Sequence, residues 1–165
     1  MAVANTKSNH ITNADASPVV LVNAVEYGGL MRGAAGTVET LAADDAASVY
    51  RLVRVPSNAR IESLKLATDA ITGATAADVG VYQTAANGGA VVDADFFATD
   101  VDISSAIAFT EVLLEATATD HAKCDMPLWE LLGLSADPVR EYDICVTVND
   151  VTAAGTISMK ALYSI

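Results

Sequence analysis

Aromatic residues, histidine and cysteine are all scarce in this chain, and each shortage closes off a kind of chemistry. One Trp, three Phe and five Tyr among 165 residues leave little to line the aromatic cleft in which paired carboxylates cut a glycosidic bond. The two histidines, His10 and His121, and the two cysteines, Cys124 and Cys145, stand in no metal-ligand spacing and no nucleophile-base motif. Two cysteines without a secretory leader predict reduced thiols, not a disulfide framework. Cys145 falls inside an apolar strand pattern and reads as a small core residue. Cys124 lies between Lys123 and Asp125, whose charges pull its thiol in opposite directions. There is no Gly-x-Ser-x-Gly elbow, phosphate loop or His-Glu-x-x-His, and Gly28, Gly29 and Gly33 miss the dinucleotide fingerprint. The sequence therefore predicts no enzymatic activity and no cofactor.

Positive charge is also in short supply. Nine Lys and Arg face 21 Asp and Glu, a net charge of −12. The imbalance is uneven: residues 1–33 carry Lys7 and Arg32 against Asp15 and Glu26, and the remainder holds 7 basic and 19 acidic residues. An acidic body repels phosphate backbones, which argues against a direct nucleic-acid partner. Like-charge repulsion also keeps a chain that is 52% hydrophobic in solution, and an acidic face could equally dock on a basic partner. The apolar runs are short and broken by Asp, Thr or Gly, well under the roughly 20 residues a spanning helix needs. No membrane partner is expected. The opening MAVANTKSNHITNADASP lacks the basic-then-apolar order of a secretory signal, which predicts synthesis in a cytoplasm.

What the chain does have is strand-length apolar patterning between turn residues. Residues 1–33 read as an N-terminal arm, rich in Asn, Ser, Thr, Ala and Gly and unable to bury much alone. Within it, Pro18, Val19, Val20, Leu21 and Val22 begin a β-prone patch that is hazardous if left bare. Such a patch pairs with the body, as its first strand, or with a neighbouring subunit. Gly28, Gly29, Leu30, Met31, Arg32 and Gly33 follow as a loose hinge. The five patch residues, with Gly28, Gly29, Leu30, Met31 and Arg32 of the hinge, are the candidate partner-binding set.

From residue 34 onward one β domain is expected. Thr37–Leu41 and Ser48–Val55 alternate as strands do, and Pro56-Ser57-Asn58-Ala59 makes a turn. Ile61, Leu64 and Leu66 begin another strand, Asp69–Ala76 a loop, and Ala77, Val79 and Val81 the next strand. Asn87-Gly88 is expected to close a tight hairpin between Tyr82 and Val91. Asp93, Asp95, Asp100 and Asp102 surround Phe96 and Phe97; two Asp-x-Asp pairs could ligate calcium, but the spacing lacks the Gly and Glu of a calcium loop. Acidic turns around a buried Phe pair are the simpler reading. Ala108–Glu115 is a further strand. Asp125 is expected to cap, Pro127 to begin and Gly133 to end a short helix carrying Leu128, Trp129, Leu131 and Leu132. Glu141–Val148 and Thr156–Tyr163 close the chain. Eight or nine strands, one short helix and no βαβ alternation predict an all-β fold, an antiparallel jelly-roll-like β-sandwich with an extended N-terminal arm; a barrel is the alternative.

The ordered set LVRVPSNARIESLKLATD, ADVGVYQ, VVDADFFATDVDIS, PLWELLGLSADPVREYDICVTV and GTISMKALY resembles a family of small structural proteins of tailed bacteriophages, over about residues 48–163. VPSNARI, DADFFA and PLWELLGL are its most specific pieces. The family builds virions, with capsid decoration (cement) proteins among its members. The resemblance implies a jelly-roll body on the outer capsid surface, the major capsid protein as partner, and a homotrimer. A tail, collar or head-fibre subunit is the first alternative. A carbohydrate- or calcium-binding module, resting on Trp129 and on the Asp93–Asp102 cluster, is the second.

Overall fold

Alternation of buried and exposed residues with a period of two sets the architecture. In β8 (Gly155–Ser164), Ile157, Met159, Ala161 and Tyr163 turn inward while Lys160 and Leu162 face out. The same rhythm runs through β2 (Ser48–Pro56) and β3 (Arg60–Thr68). The computed structural model describes residues 6–21, 29–113, 123–150 and 153–165, and the chain divides into two units, Met1–Leu30 and Met31–Ile165.

The larger unit holds eight strands among its described residues. Besides those three they are β1 (Met31–Thr40), β4 (Ala77–Gln83), β5 (Val91–Val101), β6 (Ile107–Glu111) and β7 (Glu141–Val148). They form two four-stranded sheets, ordered β1-β8-β3-β6 and β2-β7-β4-β5. All pairings are antiparallel, and β1/β8, β2/β7, β3/β6 and β4/β5 nest one inside the next. That nesting, shared between two packed sheets, is a jelly roll. The core between the sheets is aliphatic, with Val55, Leu64, Leu66, Val79, Val81, Phe97, Ile144, Val146, Ile157 and Met159 fully or nearly fully buried.

The turn after Pro56 carries the chain from one sheet to the other, since β2 and β3 belong to different sheets. The same turn holds the short helix α2 (Leu128–Leu131): the Leu128 amide donates to the Ala59 carbonyl at 2.8 Å and the Trp129 amide to the Ser57 carbonyl at 2.9 Å. A helix start must find acceptors for its free amides, and here main-chain carbonyls supply them. The expected Asp125 cap is therefore not used: Pro127 occupies the N-cap position without a side-chain bond, and the Asp125 carbonyl accepts from Arg60 Nε at 2.6 Å. Gly133, at φ +72°, ends the helix as expected.

Two further expectations are corrected. β1 starts at Met31, so Met31, Arg32 and Gly33 belong to the sheet and not to a hinge; they pair with Ser164, Tyr163 and Leu162. Glycine and alanine give little strand signal in sequence, yet an unbroken ten-residue ladder with β8 recruits them through the backbone alone. The β4–β5 connection is not a two-residue hairpin. Ala85–Asn87 form a 3-10 turn, and the left-handed positions are Gly88 (φ +96°) and Gly89 (φ +67°), not Asn87. Of the strand expected at Ala108–Glu115, β6 occupies Ile107–Glu111, and residues 114 and 115 lie outside the described residues.

Two glycines sit where backbones nearly touch. A Cβ on Gly36 of β1 would lie 1.9 Å from the carbonyl oxygen of Leu52, the bulged residue of β2. One on Gly80 of β4 would lie 2.2 Å from the Ala94 carbonyl oxygen, because β5 loops out between Ala98, opposite Val79, and Asp93, opposite Val81. Gly33, by contrast, has only ordinary contacts, the nearest at 3.6 Å. Gly36→Ala and Gly80→Ala are each expected to destabilise the protein by about 3 kcal/mol or more, and Gly33→Ala to change stability by under about 0.5 kcal/mol. Urea unfolding of the three variants measures the contrast.

Candidate functional site

In the N-terminal unit, Ser8 caps helix α1 (Asn9–Ala14), its hydroxyl accepting from the Ile11 amide at 3.3 Å. Lys7 and Asp15 pair at 2.7 Å on the surface. No residue of α1 is buried. After it, Pro18, Val19, Val20 and Leu21 are all exposed, Leu21 to 91%. Leu30 is exposed as well, and Gly29 is half-buried. Val22 and Gly28 lie outside the described residues. Of the ten residues named from sequence, the N-terminal unit thus presents a bare apolar run, while Met31 and Arg32 belong to β1 of the other unit.

The outer faces of the two sheets differ. On β2-β7-β4-β5 the outward positions are covered by a polar network. Asp143 of β7, nearly fully buried, takes Arg54 Nε on Oδ1 at 2.6 Å and Arg51 Nη1 on Oδ2 at 2.9 Å. Arg51 also donates to the Gln83 carbonyl at 2.8 Å and the Gly89 carbonyl at 2.7 Å, and its guanidinium lies 5.6 Å from the Tyr82 ring centre. Tyr82 Oη and Thr147 Oγ1 are 2.6 Å apart. Burial alone would raise the Asp143 carboxyl, but the hydrogen bonds and charges of Arg54 and Arg51 outweigh it and hold it below the ordinary carboxylate value. The Arg54 guanidinium is raised in return, chiefly by its bond to Asp143. The arrangement ties β2 to β7 and to the β4–β5 connection, with every charged partner satisfied.

That network leaves no reactive group. Cys145, beneath it, is buried, and burial pushes its thiol up to about 12, so it holds no thiolate at neutral pH. Cys124 is exposed, and His121 lies outside the described residues.

The acidic residues around the Phe pair separate. Phe96 and Phe97 are buried, packed edge to face at 4.9 Å. The Asp102 carboxylate accepts from the Ser104 amide, and the Asp100 amide donates to Asp78. Asp93 and Asp95 stay together, and burial, then a hydrogen bond to Asp95, raise the Asp93 carboxyl. Among the described residues no group of three or more His, Cys, Asp and Glu is placed to hold a metal ion. Trp129 is half-buried on α2.

No protein-family model matches the chain, and no curated protein matches it. Among solved structures, a chain described as the cyanophage Pam1 capsid asymmetric unit aligns with a TM-score of 0.50 at 16% identity, over 100% of this chain and 99% of that one. Identity that low makes this a likeness of fold, and it extends along the whole chain.

Two predictions follow from the clamped aspartate and its buried neighbour. A carboxyl held low in the folded state stabilises that state above its ordinary value of 3.8, and the contribution is lost as pH falls through the lowered value. Asp143→Asn should cost about 1–3 kcal/mol at neutral pH, less than a fully buried pair because both arginines reach solvent. It should also flatten the acid limb of stability against pH, as read by urea unfolding at a series of pH values. A thiol reagent at neutral pH should label Cys124 alone in the native protein and both cysteines after unfolding.

Proposed function

We propose that this chain is a non-enzymatic structural protein of a phage virion, a decoration protein seated on the outside of the capsid. Its partners in this reading are the major capsid protein and further copies of itself, as a homotrimer, and it is made in the host cytoplasm before it joins the virion. One observation carries the reading: the end-to-end fold likeness to a chain of the cyanophage Pam1 capsid. The phage-family resemblance of the motifs between residues 48 and 163 points the same way.

The physical properties of the body suit the role. An aliphatic core between two sheets, with the buried Asp143 clamped by two arginines and the buried thiol inert, suits a body that carries load. The net charge of −12 keeps an abundant apolar protein from precipitating before assembly. The exposed run Pro18–Leu21 provides an extended apolar attachment on the capsid, and many such weak contacts, repeated by symmetry, add through avidity.

Removing residues 1–30 leaves all eight strands intact and takes away the proposed attachment. The truncated protein is expected to fold and to lose about tenfold or more in apparent affinity for capsids of the phage whose genome carries this reading frame. Co-sedimentation followed by electron microscopy measures the occupancy. Undiminished occupancy would rule out the attachment role of the arm, and a full-length protein that does not bind those capsids would rule out decoration.

A further inference from the structure

Two like-charge pairs of opposite sign stand uncompensated on the larger unit. On the outer face of the β1-β8-β3-β6 sheet, Lys65 of β3 lies directly across from Lys160 of β8. Like charges at opposed strand positions destabilise a sheet, and among the described residues neither lysine has an ion pair. Glu111 is across from Lys65 on the other side. Its carboxylate instead accepts from the Ser63 hydroxyl at 2.5 Å and the Leu64 amide at 2.6 Å. The two lysines flank a groove of about 440 Å³ that has no carboxylate in its lining. Gly33 and Ala35 line it too, with Phe109 and Leu162, 44% and 48% exposed, as its large apolar side chains. Lys160 Nζ sits 4.2 Å from the Phe109 ring centre.

The second pair is at the edge of the other sheet. There β5 opens with Val91, 56% exposed, and Val92, also exposed, followed two positions apart by Asp93, half-buried, and Asp95, exposed. No cation pairs with either aspartate among the described residues. β5 is an outermost strand, and bare apolar edges of this kind invite pairing with another chain.

We propose that these are two halves of one contact: the groove of one copy receives the β5 edge, Val91–Asp95, of a second copy. The valines then rest against Phe109 and Leu162, and the aspartates face Lys65 and Lys160. Charge complementarity selects the occupant. In a molecule with net charge −12, most approaches of a second copy are repulsive, and a groove with two lysines and no lining carboxylate is where an acidic edge is accepted. Each copy carries one groove and one edge, so the contact is head to tail and repeats around a ring. It involves the body alone and does not depend on the capsid reading.

Sedimentation equilibrium of the purified full-length protein, from about 1 to about 100 µM, tests it without any capsid. The wild type is expected to self-associate, more weakly at high salt. Lys160→Glu and Asp95→Lys, both at exposed positions, should each weaken association by about tenfold or more. Both changes in one chain should restore it. Circular dichroism verifies folding, and Leu162→Ser probes the same groove if Lys160→Glu does not fold. A wild type that stays monomeric throughout, variants that associate as the wild type does, or a double variant that fails to recover would each overturn the contact. Failure to bind capsids with self-association intact would count against the capsid reading alone.

Discussion

The pairing of β1 with β8 is the constraint on which the rest of the body depends. It joins the two ends of the β domain: Thr37 and Ser158, 121 positions apart, meet with hydroxyls 3.0 Å from each other. Every other pair is nested inside it, β2 with β7, β3 with β6 and β4 with β5. β8 is also the strand that links β1 to β3. A fold built from contacts this distant in sequence must lose much loop entropy before any burial repays it. Ten uninterrupted backbone pairs along β1 and β8 supply the return, and that is how a segment as weakly β-prone as Arg32-Gly33-Ala34-Ala35-Gly36 becomes a strand.

Closure of two sheets around one core also fixes where side chains are forbidden. Gly36 lets β1 approach the bulge at Leu52, and Gly80 lets the looped-out segment of β5 lie against β4. The adjacent residues Phe96 and Phe97, both buried, lie within this excursion. On β7, Asp143 is nearly fully buried, and a carboxylate in that position has to be neutralised where it stands. Arg51 and Arg54 do this from β2, so one polar network registers three strands at once.

The two outer faces consequently have different fates. One is occupied by the molecule's own charged groups and needs nothing further. The other keeps two lysines opposed across a strand pair, with Phe109 and Leu162 beside them, and its electrostatics improve only when something acidic arrives. The open face of the body and the bare apolar run of the N-terminal unit are the two surfaces on which the proposed assembly role rests. The end-to-end fold likeness to a capsid chain agrees with that description.

The sequence by itself determined the all-β class, the two-sheet sandwich, most strand positions and the inward burial of Val55, Leu64, Val79, Ile144 and Ile157. These follow from a period-two pattern that each strand carries locally. The inert Cys145 was legible for the same reason; the pairing expected of the apolar patch was not, since Pro18–Leu21 are exposed and form no strand. Tertiary structure alone decided what depends on partners distant in sequence. The Ala59 and Ser57 carbonyls replaced Asp125 as the cap of α2, and β8 drew Met31, Arg32 and Gly33 into β1. The like-charge pair Lys65–Lys160 exists only because β3 and β8 lie side by side in one register. Local propensity marks where a strand can form, but which strands become neighbours is set by closing one shared core, and no residue encodes that singly.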